Sequence, residues 1–467
     1  MDGADIRPVW EANRWAELPR LALAGKAEAI QPWLEAWCAA NPAYRGVNWG
    51  CGQEAALRAL HLALACALAG LPPPREVMSA LARRIGANPA YALAQDNNHP
   101  VSEAAGLLVC GLALGEAALA ARGARRLDAA IARLVAADGS FAQASPAYHR
   151  MLLDVMAVTQ WLRGAAVPAA PLTLARMAAA TRWLHRLICP ETGRLPRMGH
   201  QDGSHVADLS AAGPDDARAS LERAARIFCA ASAGWPEDPG CAALGLAVPD
   251  SVLPLESDWR GEGMLSRRFG PFRALLRTGP LRFRPGHADL LHLDLWRGAA
   301  NLLRDGGTGA YNPAERGWVE YFQGAAAHNT IQFEGEDQMP RLGPFLFHHW
   351  PETGPLPEGA WYRDHRGRSH ARELRALPAG LAVEDRIAGP FRQAVLRWRL
   401  APGAWEVTAQ GVVGQGLRLS LGADGPVTLR LAEGLESLAY GAATPVPVLE
   451  ACMDQPVARI TTKIEQG

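Results

Sequence analysis

The 467-residue chain has no excess of either charge, because 47 basic side chains are matched by 47 acidic ones. A nucleic-acid-binding protein would show a basic excess, so we do not expect a nucleic-acid partner. No uncharged apolar run reaches the roughly 18–20 residues that a membrane helix needs, and no transmembrane segment is therefore predicted. The hydrophobic share of 49% excludes bulk disorder and is typical of a globular protein.

Several signatures of specialised chemistry are also missing. The eight cysteines include no CxxC pair, and some lie in apolar runs such as LALACALAG, which indicates buried free thiols rather than disulfides. There is no P-loop, GxSxG or HExxH, and we predict no organic cofactor. The start, MDGADIRPVWEANRW, lacks an apolar core and a cleavage site, so it predicts no signal peptide.

The period of the hydrophobic pattern changes along the chain. Up to about residue 232 the sequence is rich in Ala and Leu and has helical spacing. The run 103–122 is apolar nearly all round, which favours a closed or arched double layer of helices, with a simple bundle as the alternative. The candidate helices are 10–23, 28–40, 50–70, 74–85, 100–122, 124–136, 147–163, 170–187 and 215–232.

The second half of the chain has a period of two. Segments such as LHLDLW (291–296) and VTLRL (427–431) alternate apolar and polar residues, which is typical of antiparallel strands. The stretch 234–258 is rich in Pro and Gly and is interpreted as a linker. We therefore predict an α+β multidomain chain, with a helical domain at 1–233 and a β-sandwich domain at 259–467.

The first candidate site lies at the predicted start of a helix. Asn97, Asn98 and His99 could be capping and turn residues, but two amides and an imidazole could also hold a carboxylate by hydrogen bonds. Glu103 follows His99 by four residues, so it could fix the tautomer of the imidazole.

The second candidate site is a glycine turn, DGSF (138–141), that leads into another helix. Gln143 follows the turn, and Tyr148 and His149 occupy the first turn of that helix. Either ring could be a general acid or base if it faced a cleft, whereas packing is the alternative for a tyrosine in this position.

The third candidate site lies in the half with strand periodicity. His287, Asp305 and His328 are a plausible zinc set that leaves a fourth position open, unless the three residues are unconnected. If 287–295 is one strand, His287 shares its apolar face. His292 would then lie on the opposite face, as a solvated or edge residue.

Taken in order, these segments resemble the heparinase II/III-like family of polysaccharide lyases. The resemblance implies an N-terminal α/α toroid, which is an incomplete helical barrel, and a C-terminal antiparallel β-sandwich. It also implies β-elimination on a uronic-acid polysaccharide such as a bacterial exopolysaccharide. The matching segments are WEANR (10–14), NPAYRGVNWGCGQEAALRAL (41–60), DNNHPVSEAAGLL (96–108), DGSFAQASPAYHR (138–150), GHQDGSHV (199–206), RPGHADLLHLDLW (284–296), LLRDGGTGAYN (302–312) and AAAHNTIQFEGEDQM (325–339).

The resemblance also implies roles for individual residues. Asn98 and His99 would neutralise the substrate carboxylate, Tyr148 would be the base, the acid or both, and His149 is a lesser candidate. One structural zinc ion would be held by His287, Asp305 and His328. The residues expected to bind substrate are Asn97, Glu103, Gln143 and His200.

Departures from the family pattern keep other functions open. Many members read GHxHAD, and Pro285 stands here at the position of the first histidine, which places activity in doubt. One alternative is a non-catalytic glycan-binding or assembly protein. Another is a glycoside hydrolase, which would need a pair among the acids Glu54, Glu103, Asp138 and Asp202.

Two further expectations complete the sequence analysis. Glu54 and Arg58 are interpreted as an ion pair along one helix, since they are four residues apart. The resemblance implies the cell envelope or periplasm, whereas a genuine chain start without a signal peptide implies the cytoplasm. The expected partner is an acidic polysaccharide or oligosaccharide, and a homodimer is left open.

Overall fold

The computed structural model describes residues 5–282, 285–343, 345–454 and 457–467. Helices fill the first half of the chain, and one more follows in the second half. They are α1 (Arg7–Ala12), α2 (Glu17–Leu23), α3 (Ile30–Ala40), α4 (Gly52–Ala69), α5 (Arg75–Gly86), α6 (Pro89–Gln95), α7 (Asn98–Leu114), α8 (Ala117–Leu134), α9 (Pro146–Arg163), α10 (Pro171–His185), α11 (Arg218–Cys229), α12 (Pro239–Ala243) and α13 (Trp318–Gln323).

The second half is built of antiparallel strands. They are β1 (Trp259–Gly261), β2 (Gly263–Phe269), β3 (Phe272–Gly279), β4 (Leu293–Arg297), β5 (Ala300–Leu303), β6 (Ile331–Phe333), β7 (Arg341–Gly343), β8 (Leu346–Phe347), β9 (Glu352–Leu356), β10 (Gly359–Arg363), β11 (Ser369–Leu377), β12 (Gly380–Ala388), β13 (Ala394–Arg399), β14 (Trp405–Thr408), β15 (Gly411–Gly414), β16 (Leu417–Ala423), β17 (Thr428–Glu436), β18 (Thr444–Met453) and β19 (Arg459–Gln466).

The helices form a double layer. In α4, α7 and α9 nearly every residue is buried, whereas α5, α8 and α10 have an exposed side and pack on the outside of these inner helices. An inner helix that meets neighbours on every side has to be apolar all round. The predicted arched double layer is therefore confirmed, and the simple bundle is wrong.

Several predicted helix boundaries are wrong for local reasons. The predicted helix 100–122 ends at Leu114, because Gly115 takes a left-handed conformation (φ 71°) that terminates the helix. The predicted helix 10–23 is two helices, and α6 was not predicted. Within the predicted linker 234–258 the short helix α12 occurs, so the domain boundaries 1–233 and 259–467 stay a proposal.

The strands form a five-stranded sheet (β1 to β5 in order), an eight-stranded sheet (β14-β15-β16-β19-β12-β11-β10-β9) and a four-stranded sheet (β17-β18-β13-β6). The hairpin β7–β8 is a separate two-stranded sheet. One apolar cluster fills the sheets, and a second fills the helical layers. Trp259 of β1 belongs to the second cluster and packs on Trp183 of α10 at 5.9 Å, so the first sheet joins the two halves.

The predicted fold class, a helical toroid followed by an antiparallel β-sandwich, is thus confirmed. Among the described residues, no helix combines the length and the apolar character needed to cross a membrane.

The close packing of α7 on α8 depends on glycine. A Cβ atom at Gly123 would overlap the backbone of Leu108, so Gly123→Ala should lower the free energy of unfolding by about 1–2 kcal/mol, despite the better helix propensity of alanine. Urea denaturation measures this change. Gly86→Ala is the control, because nothing lies within 4 Å of that position. Equal stability of the two variants would contradict the packing argument.

Candidate active site

Three inner helices begin at the same place. Asn98, the first residue of α7, donates from Nδ2 to Oε1 of Gln53 in the first turn of α4, at 2.6 Å. The same Nδ2 lies 3.6 Å from Sδ of Met151 in α9, and the backbone N–H of Asn98 donates to Oε1 of Gln143 at 3.2 Å. The partial positive charges of three helix N-termini therefore converge around Asn98.

Asn97, Asn98 and Gln143, which were predicted to bind the substrate, make different contacts at the start of α7. Asn98 is 3% exposed, and its side chain faces α4 and α9. Asn97 caps α7, since its side-chain oxygen accepts from the backbone N–H of His99 at 3.0 Å. Gln143 bridges the preceding loop to α7 by accepting from the backbone of Asn98. The capping interpretation thus holds for Asn97, while the side chain of Asn98 lies buried between α4 and α9.

His99 lies between two helices. Its Nδ1 is 3.9 Å from Oε1 of Glu103, an ion-pair distance. A Cβ atom at residue 52 would lie 2.6 Å from the Glu103 carboxylate, so only a glycine there leaves room for it. Burial alone would lower the pKa of His99, but interactions with Cys51 and Glu103 outweigh it and raise the pKa to about 9. These interactions favour the protonated, cationic form of His99.

Tyr148 forms the second part of the site. Its hydroxyl donates to Oδ2 of Asp202 at 2.7 Å, and Nε of Arg7 donates to the same oxygen at 2.6 Å. Arg7 also donates to Oγ of Ser204 at 2.6 Å. Burial would raise the pKa of Asp202, but Arg7 lowers it far below the usual range, so the carboxylate stays ionised. Burial and this negative charge raise the pKa of Tyr148 well above 10.

A second phenol comes from the β half. The hydroxyl of Tyr311 lies 3.0 Å from that of Tyr148. An ionised carboxylate can only accept, so the proton of Tyr148 points to Asp202, and Tyr311 must donate to Tyr148. The hydrogen bonds therefore run in one direction, from Tyr311 through Tyr148 to Asp202.

His200, predicted to bind substrate, adjoins these phenols. It is 7% exposed, its Nε2 has no hydrogen-bond partner among the described residues, and its ring packs edge-on against Tyr311 at 5.3 Å. Burial lowers the pKa of His200 to about 4, which leaves it neutral. A Cβ atom at Gly286 would lie 2.8 Å from the ring, so this glycine creates the space for His200.

The structure does not bring His149 to this cluster. The ring of His149 stacks on Trp183 at 4.9 Å, and its Nε2 bonds to the carbonyl of Ala180 at 2.9 Å. The residue is 1% exposed, and burial lowers its pKa to about 4. Tyr148 and His149 are adjacent on α9, so their side chains point in different directions, and His149 belongs to the core.

The predicted metal ligands do come together. Ligand atoms of His287, Asp305 and His328 lie within 4.8 Å of one another, and all three residues are buried. Asp305 accepts from Nδ1 of His328 at 2.9 Å, while both ring nitrogens of His287 and Nε2 of His328 have no partner among the described residues. Unpartnered buried nitrogens are costly, and a divalent metal ion at this donor set would satisfy them.

Two expectations about this region are wrong. Residues 287–292 are not in a strand, because β4 begins at Leu293. His292 is fully buried rather than solvated: its Nδ1 accepts from the backbone of Asn329 at 2.9 Å, and its Nε2 lies 3.6 Å from Oδ2 of Asp305. His292 therefore lies in the core beside Asp305 and Asp294.

The acids considered for a hydrolase are committed to other partners. Glu54 pairs with Arg14 through two hydrogen bonds of 2.8 Å, so the expected pair with Arg58 is wrong. Arg58 lies instead among three tryptophan rings. Asp138 accepts from the backbone N–H groups of residues 140 and 262. Asp202 pairs with Arg7, and Glu103 lies 3.9 Å from His99, so the four acids considered do not supply a pair of free carboxyl groups.

Comparison with known proteins agrees with the fold. A family model described as Heparinase II/III-like, C-terminal, matches residues 263–446. A structure of heparinase III gives a TM-score of 0.72 at 14% identity, over 97% of this chain and 75% of the other. A heparan sulfate lyase HepC mutant from Pedobacter heparinus gives 0.66 at 16% identity, over 98% and 77%. A heparinase III gene product with methylated lysines gives 0.67 at 15% identity, over 98% and 77%. No curated protein matches the sequence.

These matches confirm the predicted resemblance to the heparinase II/III-like family. The family model covers most of the β half, and the solved structures extend the shared fold to the helical half. At identities of 14–16% the likeness concerns the fold, and the chemistry has to be argued from the residues of this chain.

The charge of His99 can be tested without a substrate. Glu103→Gln removes a negative neighbour, so the pKa of His99 should fall from about 9, as measured by NMR titration of the imidazole. Because the pKa of His99 is higher in the folded than in the unfolded chain, protonation of His99 stabilises the fold. This stabilisation is complete below the unfolded pKa, near 6.5, and is lost as the pH rises through 9. The variant should lose less stability over that interval. The exposed Glu116→Gln is the control, and an unchanged pKa in Glu103→Gln would contradict the assignment.

Proposed function

We propose that this chain is a polysaccharide lyase. It has the fold of the solved heparinase III structures, and residues 263–446 match the C-terminal model of the heparinase II/III-like family. Its substrate would be an acidic polysaccharide containing uronic acid, and the bond would break by β-elimination. The observations that carry the proposal are the contact of Asn98 with Met151 of α9 and the hydrogen bond between Tyr311 and Tyr148, which lies three residues before Met151 on the same helix. A polymeric uronate would place this activity in the cell envelope.

The first requirement of the reaction is to neutralise the substrate carboxylate. The C5 proton is barely acidic, because its removal adds negative charge next to an existing anion. Asn98 and His99 are suited to this task, since one N–H of Asn98 contacts only the sulfur of Met151 and His99 is positively charged. The N-termini of α4, α7 and α9 add partial positive charge. Together they would stabilise the enolate-like intermediate.

The second requirement is to move one proton from C5 to the departing oxygen at C4. We assign this transfer to Tyr148 and Tyr311, whose oxygens are 3.0 Å apart. On substrate binding the hydroxyl of Tyr148 would turn its proton from Asp202 to the leaving oxygen and protonate it. Tyr311 would pass its own proton to Tyr148 and accept the C5 proton. Both phenols end protonated, so the transfer balances without a stable tyrosinate. Asp202 and Arg7 would hold Tyr148 in position.

The hydrolase alternative is less well supported, because Glu54 and Asp138 are engaged by other groups. The products separate the two reactions. A lyase leaves a 4,5-unsaturated uronate that absorbs ultraviolet light, whereas a hydrolase adds water and leaves no such band. A panel of uronic-acid polysaccharides should therefore yield the band, and products with added water would contradict the proposal.

Tyr148→Phe removes the hydroxyl that would protonate the leaving group. We expect kcat for formation of the unsaturated product to fall by about 10²- to 10⁴-fold. Binding of the same oligosaccharide, measured by calorimetry, should change little. Tyr44→Phe is the matched control, because Tyr44 is 52% exposed. Full activity of Tyr148→Phe would contradict the assigned role.

We infer that His287, Asp305 and His328 hold one structural zinc ion. Bound zinc would cross-link the loops before β4, after β5 and before β6. The support is the buried, unpartnered ring nitrogens around one carboxylate. The ion would keep this side of the site rigid next to His200, whose ring lies 5.4 Å from that of His287.

Elemental analysis tests the metal directly. Purified protein should contain one zinc per chain, and His328→Ala should lose it and melt at a lower temperature. A chelator should lower the melting temperature of the wild type but not that of the variant. His349→Ala is the control, because His349 is exposed. A wild type purified without metal whose melting temperature does not respond to zinc would contradict the inference.

A further inference from the structure

A small hairpin beside the site has no sheet to support it. Strands β7 and β8 pair only with each other, and an isolated two-stranded hairpin is marginally stable. Its base is tied to α13, because Arg341 donates to Oε1 of Gln323 at 2.7 Å and to the carbonyl of Val319 at 2.8 Å. The hairpin is therefore anchored at one end and extends toward the site at the other.

Phe345, at the tip of this hairpin, contacts the site with its ring. The ring packs edge-on against His200 at 5.2 Å and against Tyr311 at 5.0 Å. The backbone of Phe345 has φ 61°, a left-handed conformation that is unfavourable for a bulky residue. Strained non-glycine residues of this kind cluster at functional sites, where the side chain needs a particular direction. Phe345 is also only partly buried.

We propose that Phe345 is an aromatic wall of the substrate cleft, against which a pyranose ring of the acidic polysaccharide stacks. This inference rests on the proposed function and adds a subsite to it. A pyranose presents C–H groups on its faces, and these pack well on the face of an aromatic ring. The rings of His200 and Tyr311 lie at 77° and 69° to the ring of Phe345, so neither is stacked parallel on its face. A sugar stacked on Phe345 would lie next to the two phenols.

The other aromatic neighbour of Tyr311 is not available for this role. Tyr440 packs on Tyr311 at 5.2 Å, but its hydroxyl accepts from the backbone of Tyr311 and donates to Asp5. These bonds hold Tyr440 between Asp5 of the helical half and Tyr311 of the β half. Phe345 has no polar atom to satisfy, so a sugar can cover it without breaking a hydrogen bond.

The test compares substitutions that separate a planar face from apolar bulk. Phe345→Leu and Phe345→Ala should raise the Kd for a uronate oligosaccharide about tenfold, measured by calorimetry in the Tyr148→Phe background. In the otherwise unchanged enzyme they should raise KM by a similar factor, with kcat within about threefold. Phe345→Trp keeps a planar face and should bind as tightly as phenylalanine. Leu342→Ala is the control, because Leu342 is 68% exposed on the same hairpin.

The outcomes separate the inference from the function on which it rests. Unchanged binding by Phe345→Leu would mean that the ring only packs, and tighter binding by Phe345→Ala would mean that it blocks the site, so either result overturns the proposal. Oligosaccharides that bind the wild type without being cleaved would overturn the lyase function alone. The stacking inference would then still be decided by the Kd values.

Discussion

The contact between Arg7 and Asp202 is the constraint on which the rest of the site depends. It joins α1 to the loop after α10 and places an ionised carboxylate 2.7 Å from the hydroxyl of Tyr148. Removing one member of a buried pair costs about 3–5 kcal/mol, because the other charge is left without a partner. Since Asp202 can only accept, it also fixes the direction of the hydrogen bond from Tyr311. One ion pair thus sets the geometry and the protonation of both phenols.

The two halves of the molecule contribute different parts to this site. The helical half supplies positive charge, through His99 and three converging helix N-termini, and the β half supplies Tyr311 next to the metal triad. The proposed elimination would need both halves, because it requires charge neutralisation at the carboxylate and proton transfer at the adjacent C5. The first sheet, which packs on α10 through Trp259, keeps the two contributions in register.

The sequence predicted features that depend on local pattern. The change of hydrophobic period separated the helices from the strands. The inner helices were recognisable because a helix that is buried on every side has to be apolar all round. The grouping of His287, Asp305 and His328 was predicted from their residue types and from the family segments in which they lie. The left-handed turn at Gly115 could have been recognised, since glycine after an apolar helical run is a common helix end.

Other parts of the site depend on contacts between distant residues. Arg7 and Asp202 are 195 positions apart, and Tyr148 and Tyr311 are 163 apart, so no periodicity links them. His292 was placed on a solvated face because the strand was expected to begin six residues early. His149 was a candidate because it follows Tyr148 in the sequence. Successive residues of a helix point about 100° apart, so the two side chains face different surroundings.

The most direct measurement is a crystal structure of the Tyr148→Phe variant with a uronate oligosaccharide bound. Our account predicts that one sugar carboxylate lies within hydrogen-bond distance of both Asn98 and His99. It also predicts that the glycosidic oxygen at C4 of that sugar faces the ring of residue 148 and the hydroxyl of Tyr311. A carboxylate held elsewhere, with no uronate between α7 and α9, would contradict the elimination mechanism.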